Sequence, residues 1–599
     1  MSNLLHQAVA AHQANNLPEA ERLYRAILAS APEQADALAL LGIVCGIKGD
    51  HAEAIKLVDK AVALDPQSAL FRFHQGSVLM NAKKLPAAIA AFHQAIALQP
   101  GMVQAYYNLG NALRAADDWM GAIDAYRQAI KLNPQYAEAY NNLALTLVHE
   151  KKLEEALEQA KRTVAIAPDY GEGWRTLCNI AESVKEYKLA LEAGEHCIAL
   201  MPDSHYAWFG YGVALNRLDR NEEAIEAYKR ALALKPERAD IWDNLGQTYQ
   251  SLNRLEEAEA TFHKTLEVAG QVIADEDTRE VAEEEYGNRH WHLALMELLR
   301  GKYKQGFARY RSRFKDVGGL KRPNYHKPLW KGESLADKTM VVCDEQGYGD
   351  TLMLARYLPL LKKQGARIIF SVHPVLKNLF LNWPVIDGIV LHGEVLPRYD
   401  CYTSVFDLPY RFGTIMETIP NDVPYLPLPE LNERTTLRES GRIPLSSRGE
   451  ELKVGVVWGG SPLHSNDMRR SVPLSIFAKL FKQPGIQFYS LNRDLKAGDT
   501  EFLPKLPVID LVPRIEDFAD AARFVQQMDL IITCDSATAH LAGGLGKTVW
   551  TLLPYAPDWR WLTGRSDSPW YPTMRLFRQS KSGDWAEVIE QVSEALKKI

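Results

Sequence analysis

Proline recurs every 34 residues through the first half of the chain, at Pro32, Pro66, Pro100, Pro134, Pro168, Pro202 and Pro236, and the next step falls on Gly270. A helix stopper at that period means a tandem of small helix-pair units. One such unit cannot bury its apolar face alone, so neighbours must stack. Small residues keep the same phase: Gly42, Gly76, Gly110, Gly212 and Gly246 stand 24 residues before a boundary, with Ala144 and Cys178 in that slot in two central units. Ala20, Ala54, Ala88, Ala122, Ala156, Ala190, Ala224 and Ala258 stand 12 residues before one, where two helices should cross closely. Tyr24, Phe92, Tyr126, Tyr228 and Phe262 share a further position, expected to fill a larger slot between repeats. Eight units in one register predict an all-α array over residues 1–270.

Thirty-four residues per helix pair is the tetratricopeptide (TPR) period. The expectation is a superhelix whose concave groove holds an extended peptide, and therefore a protein partner. Asn108, Asn142 and Asn244 fall at one repeat position on the first helix of a pair, where side-chain amides can grip a peptide backbone whatever its sequence. The arrangement resembles the asparagine ladder of eukaryotic O-GlcNAc transferases. His74, Thr176 and Gly210 interrupt it, and solvated surface asparagines fit the same positions.

A net charge of −6 gives no electrostatic footprint for nucleic acid. Six scattered cysteines without a CxxC pair indicate neither a zinc site nor a disulfide framework. The polar amphipathic start is unlike a signal peptide, and no run approaches the ~18 apolar residues of a membrane span. The expected location is cytoplasmic.

Residues 271–287 are acidic and read as a linker; 288–314 read as a final helical pair turning at Gly301, so that 271–337 joins the array to the C-terminal half. From 338 the pattern changes to alternating strand and helix, with TMVVC (339–343) and ARIIFSV (366–372) as strands of a domain over 338–430. A polar stretch at 421–450 separates it from a second block over 451–599, with strands KVGVVW (453–458), IQFYSL (486–491), DLIITC (529–534) and VWTLL (549–553). Repeated β-loop-α units predict parallel sheets covered by helices. The whole is an all-α TPR superhelix followed by two Rossmann-like doubly wound domains facing across a cleft, the GT-B layout.

Three motifs carry candidate chemistry. In CDSATAHLAGGLGK (534–547), Asp535 and Ser536 suit a helix N-cap after a strand, and Ala537 and Thr538 open the helix. Ser536 and His540 lie four apart on one face, and the small residues through Gly543 and Gly544 either let a ligand approach or serve packing. A diphosphate suits such a helix start. GGLGKT is not a phosphate-binding P-loop, because Leu541 stands where that motif needs glycine. In EQGYGDT (345–351), Gly347 and Gly349 allow a tight turn, and Asp350 is either a proton acceptor or an ordinary helix cap. In WGGSPLHSNDMRRS (458–471), Gly459 and Gly460 precede His464, Arg469 and Arg470, which can neutralise a leaving phosphate or simply meet solvent. The aromatic PDWRWLTGRSDSPWYP (557–572) suits stacking on a base or sugar, or packing.

Taken together, GYGDT, VGVVWGG with its basic loop, and DLIITCDSATAHLAGGLGK resemble glycosyltransferase family 9, the ADP-heptose:lipopolysaccharide heptosyltransferase group, over residues 338–580. The resemblance implies a GT-B fold and an inverting, metal-independent mechanism. It implies Asp350 as catalytic base, Asp535, Ser536 and His540 at the donor phosphates, and Arg470 near the place of a catalytic lysine. The family usually has glycine where this chain has Ala537. The layout is also similar to bacterial TPR-containing flagellin glycosyltransferases. The expected reaction moves a sugar from a nucleotide-sugar co-substrate, without a cofactor, to Ser or Thr hydroxyls of a protein, with flagellin the leading candidate. A glycolipid or lipopolysaccharide acceptor and a catalytically inactive interaction protein are the alternatives.

Overall fold

The computed structural model describes residues 2–272, 290–311, 313, 325–431, 451–462, 466–496 and 498–599. Most of the stretches read as a linker at 271–287 and as a connection at 421–450 lies outside them. The chain separates into two compact units, Met1–Glu237 and Arg238–Ile599.

The first unit is seven antiparallel helix pairs, from Ser2–Gln13 with Leu17–Ser30 to His205–Arg217 with Asn221–Leu234. Each pair turns through one residue in the left-handed region: Asn15, Gly49, Lys83, Asp117, Lys151, Lys185 and Asp219. That conformation lets the turn N–H groups return to carbonyls of the last helical turn, as Lys83 N does to Met80 O at 2.9 Å. The phased small residues meet the phased aromatics inside a single repeat rather than between repeats. A Cβ on Gly110 would lie 2.6 Å from the Tyr126 ring, and one on Gly76 equally close to Phe92. Where the small slot is larger, its partner shrinks: Ala144 stands opposite Ala160 in register, and Cys178 opposite Gly194. In these two central repeats neither position of the pair carries an aromatic.

The second unit opens with the eighth pair, Ala239–Ser251 and Leu255–Val272, followed by helices at 290–299 and Tyr303–Tyr310. This last pair is tied on one side to the eighth repeat, through His292 to Asp243 at 2.8 Å and Arg300 to Glu259 at 2.5 Å. On the other side Tyr310 stacks on Phe406, with centroids 5.0 Å apart, and the Tyr303 hydroxyl accepts the Trp570 indole N–H at 3.1 Å.

Two parallel sheets complete the unit. The first contains β1 (Thr339–Cys343), β2 (Arg367–Val372), β3 (Gly388–Leu391) and β4 (Cys401–Ser404) in the order β3-β2-β1-β4. The second contains β5 (Leu452–Val457), β6 (Ile486–Ser490), β7 (Val508–Asp510), β8 (Leu530–Cys534), β9 (Val549–Leu553) and β10 (Met574–Arg578) in the order β10-β9-β8-β5-β6-β7. Every pairing within these sheets is parallel. Renumbered from its own first strand, the second sheet has the doubly wound order 3-2-1-4-5-6, and the first has its 3-2-1-4 part. The central strands β8 and β9 are fully buried, mostly apolar runs, and β5 is buried from Val454 onward, as parallel strands covered on both faces must be. The helix Trp585–Leu596 covers one face of the second sheet with Trp585, Val588, Ile589 and Val592. In such sheets the strand order reverses between the first and fourth strands, and the crevice beyond the strand ends opens there. Those points are β1/β4 and β5/β8.

Candidate active site

At the β5/β8 switch point the chain leaves β5 through Trp458, Gly459 and Gly460. The Asn492 carboxamide oxygen accepts the N–H groups of Trp458 and Gly459, at 3.0 and 2.7 Å. The Ser471 hydroxyl accepts the Gly460 N–H at 3.1 Å and donates to Asp467 at 2.7 Å. These glycines therefore offer no spare amide to a donor. Their smallness serves a different purpose, because a Cβ on Gly460 would lie 2.6 Å from the Arg470 guanidinium, which packs flat against it. Asp467 faces both Arg470, at 3.7 Å, and Lys496, at 3.1 Å. Arg469 is exposed. His464 lies outside the described residues.

The chain leaves β8 through Asp535 and Ser536 into the helix Ala537–Gly544. Ser536 occupies the N-cap position but makes no side-chain cap; its hydroxyl pairs with Thr533 at 2.8 Å. The first-turn amides around Ala537 and Thr538 are thus left without a side-chain cap, at the helix end that carries partial positive charge. His540, expected to share a ligand-facing surface with Ser536, is instead buried, 4% exposed. Its Nδ1 meets the Tyr571 hydroxyl at 2.9 Å, and its ring stacks on Trp561 at 5.1 Å. Burial, then the charges of Arg560 and Arg356, hold it neutral. Gly543 and Gly544 do not open a face to a ligand either: added Cβ atoms would strike Tyr571 at 2.6 Å and Leu426 at 2.5 Å. Packing accounts for both glycines.

From the first sheet, β1 runs into Gly347 and the helix Tyr348–Leu354. Gly349 lies directly against the other half: a Cβ there would lie 2.8 Å from His540 Cδ2 and 3.3 Å from Ala537 Cα. The two helix starts touch at Gly349 and Ala537. Asp350 sits one residue further on. Its Oδ2 accepts the Gly347 N–H at 3.1 Å, and its Oδ1 pairs with Arg560 Nη2. Arg560 also binds Asp558, at 2.6 Å, and lies over the Trp559 ring at 4.5 Å. Burial raises the Asp350 carboxyl despite Arg560. Burial and the neighbouring Asp558 push Asp535 up to about 6, against the pull of Arg470. Asp350 and Asp535 thus share one charged neighbourhood centred on Arg560.

Two further arginines set this geometry. Arg313, wholly buried, binds Glu345 at 2.5 and 2.8 Å and Asp407 at 3.0 Å, and Ser404 donates to Glu345 at 2.5 Å. It plugs the β1/β4 switch point. Gln346, in the left-handed region, is fixed by the Tyr310 hydroxyl at 2.9 Å. The EQG turn that delivers Asp350 is thereby clamped. Arg356 donates to the carbonyls of Trp570, at 2.6 Å, and Pro420, at 3.0 Å, between the rings of Tyr425 and Tyr571, joining the helix after β1 to the second sheet's final loop. Sequence reasoning missed Arg313, Arg356 and Arg560; the only hint of the last was its place in PDWRWL. Among the described residues no group of three His, Cys, Asp or Glu is placed to hold a metal.

Of the groove asparagines, Asn142 donates to both the Tyr107 hydroxyl and Asn111 Oδ1, each at 3.0 Å, and Asn244 donates back to Asp240 O at 2.9 Å. Those amide donors are engaged within the protein. Asn108, half-buried, makes no side-chain hydrogen bond to the described residues, leaving one candidate rung.

Tetratricopeptide repeat models match residues 5–69, 73–119 and 107–171, a TPR repeat model matches 212–253, and a further tetratricopeptide model matches 239–271. The first 270 or so residues are a TPR array. The chain is similar to Protein FlbA of Caulobacter vibrioides, 25% identical over 340 residues, 51% of this chain and 55% of that protein. It spans about half the length of the curated relative it matches. Among solved structures it is similar to the MamA protein, at 25% identity over 28% of this chain and 92% of that one, with a TM-score of 0.27. It is also similar to YrrB, described as a TPR protein with an unusual peptide-binding site, at 22% identity over 32% of this chain and 96% of that one, with a TM-score of 0.28. No described helix is long and apolar enough to cross a membrane.

Proposed function

We propose that the chain is a glycosyltransferase that moves a sugar from a nucleotide sugar to a Ser or Thr hydroxyl of a protein held by the TPR array, with flagellin the leading candidate acceptor. The observation that carries the reading is a juxtaposition at the β5/β8 switch point. An uncapped helix start suited to a diphosphate meets a carboxylate delivered from the other sheet, with Arg560 touching that carboxylate.

In this reading the acceptor oxygen attacks the anomeric carbon as the bond to the phosphate oxygen breaks. The electron pair leaves with the nucleotide, and the hydroxyl proton passes to Asp350. The helix start at Ala537, together with Arg560 and Arg470, meets the departing charge, so the step inverts the anomeric centre without drawing on a metal. The TPR array supplies the acceptor, as a peptide-binding repeat is built to do. The test is transfer by the purified full chain from a panel of nucleotide sugars. Asp350→Asn, which keeps the hydrogen bond from Gly347, is expected to lower turnover by at least about 100-fold, the usual worth of a general base. Undiminished turnover would remove Asp350 from the role. Loss of transfer to a protein but not to a small glycolipid after deleting the array supports the protein acceptor; unchanged protein transfer contradicts it.

A further inference from the structure

Arg560 was assigned no role by the motif pattern beyond its place in the aromatic segment 557–572, and its contacts create a problem for the chemistry just described. Both oxygens of Asp350 are engaged, Oδ1 by the guanidinium and Oδ2 by the Gly347 N–H. Burial raises this carboxyl in spite of Arg560, but with both oxygens occupied it can meet an acceptor hydroxyl only if one of these contacts opens. If the pairing were permanent, the base would be permanently masked.

Resting on the transferase reading, we propose that Arg560 has two positions: paired with Asp350 when the site lacks a donor, and turned onto the donor's diphosphate when the donor binds, so that Asp350 is released only once the donor is in place. Four features of the site support the movement. The arginine is held at its far side by Asp558, which accepts both Nη1, at 2.6 Å, and the Arg560 main-chain N–H, at 3.0 Å. Asp558 is therefore a pivot that can be kept while Nη2 changes partner. The guanidinium rests on the flat face of Trp559, over which it can turn without losing contact. Three carboxylates, Asp350, Asp535 and Asp558, bear on it, and a diphosphate carries more charge and a better bidentate surface than the single oxygen it would replace. Finally, the wholly buried Trp561 indole N–H is turned toward the Asp535 carboxyl and favours its charged form, so the wall beside the guanidinium already carries a donor directed at negative charge.

Competition for one guanidinium leaves a signature in binding, measurable without turnover. Inorganic pyrophosphate, ADP, UDP and GDP are titrated calorimetrically into the full chain and into Asp350→Asn, Arg560→Gln and the double variant. If Asp350 and the diphosphate compete, Asp350→Asn tightens binding by about 5- to 10-fold, and Arg560→Gln weakens it at least 10-fold. In the Arg560→Gln background, Asp350→Asn then changes little. Simple charge repulsion would give the same gain from Asp350→Asn in both backgrounds, and that result overturns the proposal. So does binding indifferent to Arg560→Gln. Arg560→Lys, which keeps the charge but not the fork, should fall between wild type and Arg560→Gln; loss of folding common to every Arg560 variant, with wild-type affinity unchanged by Asp350→Asn, also counts against it. If neither pyrophosphate nor any of the nucleotides binds the wild-type chain at millimolar concentration, the transferase reading itself fails, and this inference with it.

Discussion

Gly349→Ala probes the contact on which the site depends. The added Cβ would stand 2.8 Å from His540 Cδ2 and 3.3 Å from Ala537 Cα. Relaxed carbon–carbon contact is about 3.5–4.0 Å, so one side must yield by about 1 Å. His540 cannot swing aside without losing the Tyr571 hydroxyl and the Trp561 stack. Overpacking of this kind costs about 1–3 kcal/mol. Alanine recovers up to about 1 kcal/mol of helix propensity over glycine. The net expectation is a loss of about 1–2 kcal/mol. With the imidazole removed by His540→Ala, only the Ala537 contact remains, and the added cost of Gly349→Ala should fall by at least about 1 kcal/mol. Urea unfolding of the four proteins of this cycle, followed by tryptophan fluorescence, reads the difference. An equal cost in both backgrounds, or none in the wild type, would refute the claim that the two helix starts bear on each other through Gly349.

Other consequences are as direct. Lys83, Lys151 and Lys185 hold left-handed turns that Gly49 holds without a Cβ; each Lys→Gly change should stabilise the array by up to about 1 kcal/mol in thermal unfolding, and uniform destabilisation would contradict the turn geometry. Arg313→Met leaves Glu345 and Asp407 buried without their cation, so a loss of about 3–5 kcal/mol is expected; a neutral result would show that Arg313 does not clamp the EQG turn. The Asp535 carboxyl, raised to about 6 by burial and by Asp558 and facing Arg470 and Arg560, binds its proton more tightly folded than unfolded. It therefore contributes stability that is present below about pH 4 and is lost as the pH rises through about 6. Asp535→Asn should flatten that slope in unfolding measured from pH 4 to 7; an unchanged slope would assign it to another group.

How far the sequence revealed this molecule depends on the range of the interactions involved. The repeats were legible because one 34-residue period carries prolines, glycines and aromatics in phase, and each contact that imposes it is local: Gly110 meets Tyr126 only 16 positions on. The β-loop-α units were legible for the same reason, and the residues after β5 and β8 do fall at the switch point. What sequence could not distinguish was whether a small residue serves a ligand or a neighbour. Gly349, Gly460, Gly543 and Gly544 all serve neighbours, and the neighbours come from other elements. The charged framework was illegible because its bonds join distant segments: Arg560 to Asp350 across 210 residues, Arg356 to Trp570 across 214, and Arg313 to Asp407 across 94. Only folding brings those partners together.

The central claim is that a sugar leaves its nucleotide at the start of the Ala537 helix while Asp350 takes the acceptor's proton. It is tested most directly by the intact mass of candidate acceptor proteins, flagellin first, produced beside the wild-type chain or beside Asp350→Asn. The account predicts acceptor masses raised by whole sugar units with the wild type and bare acceptor with the variant. Bare acceptors in both cases, or equal modification in both, would contradict it.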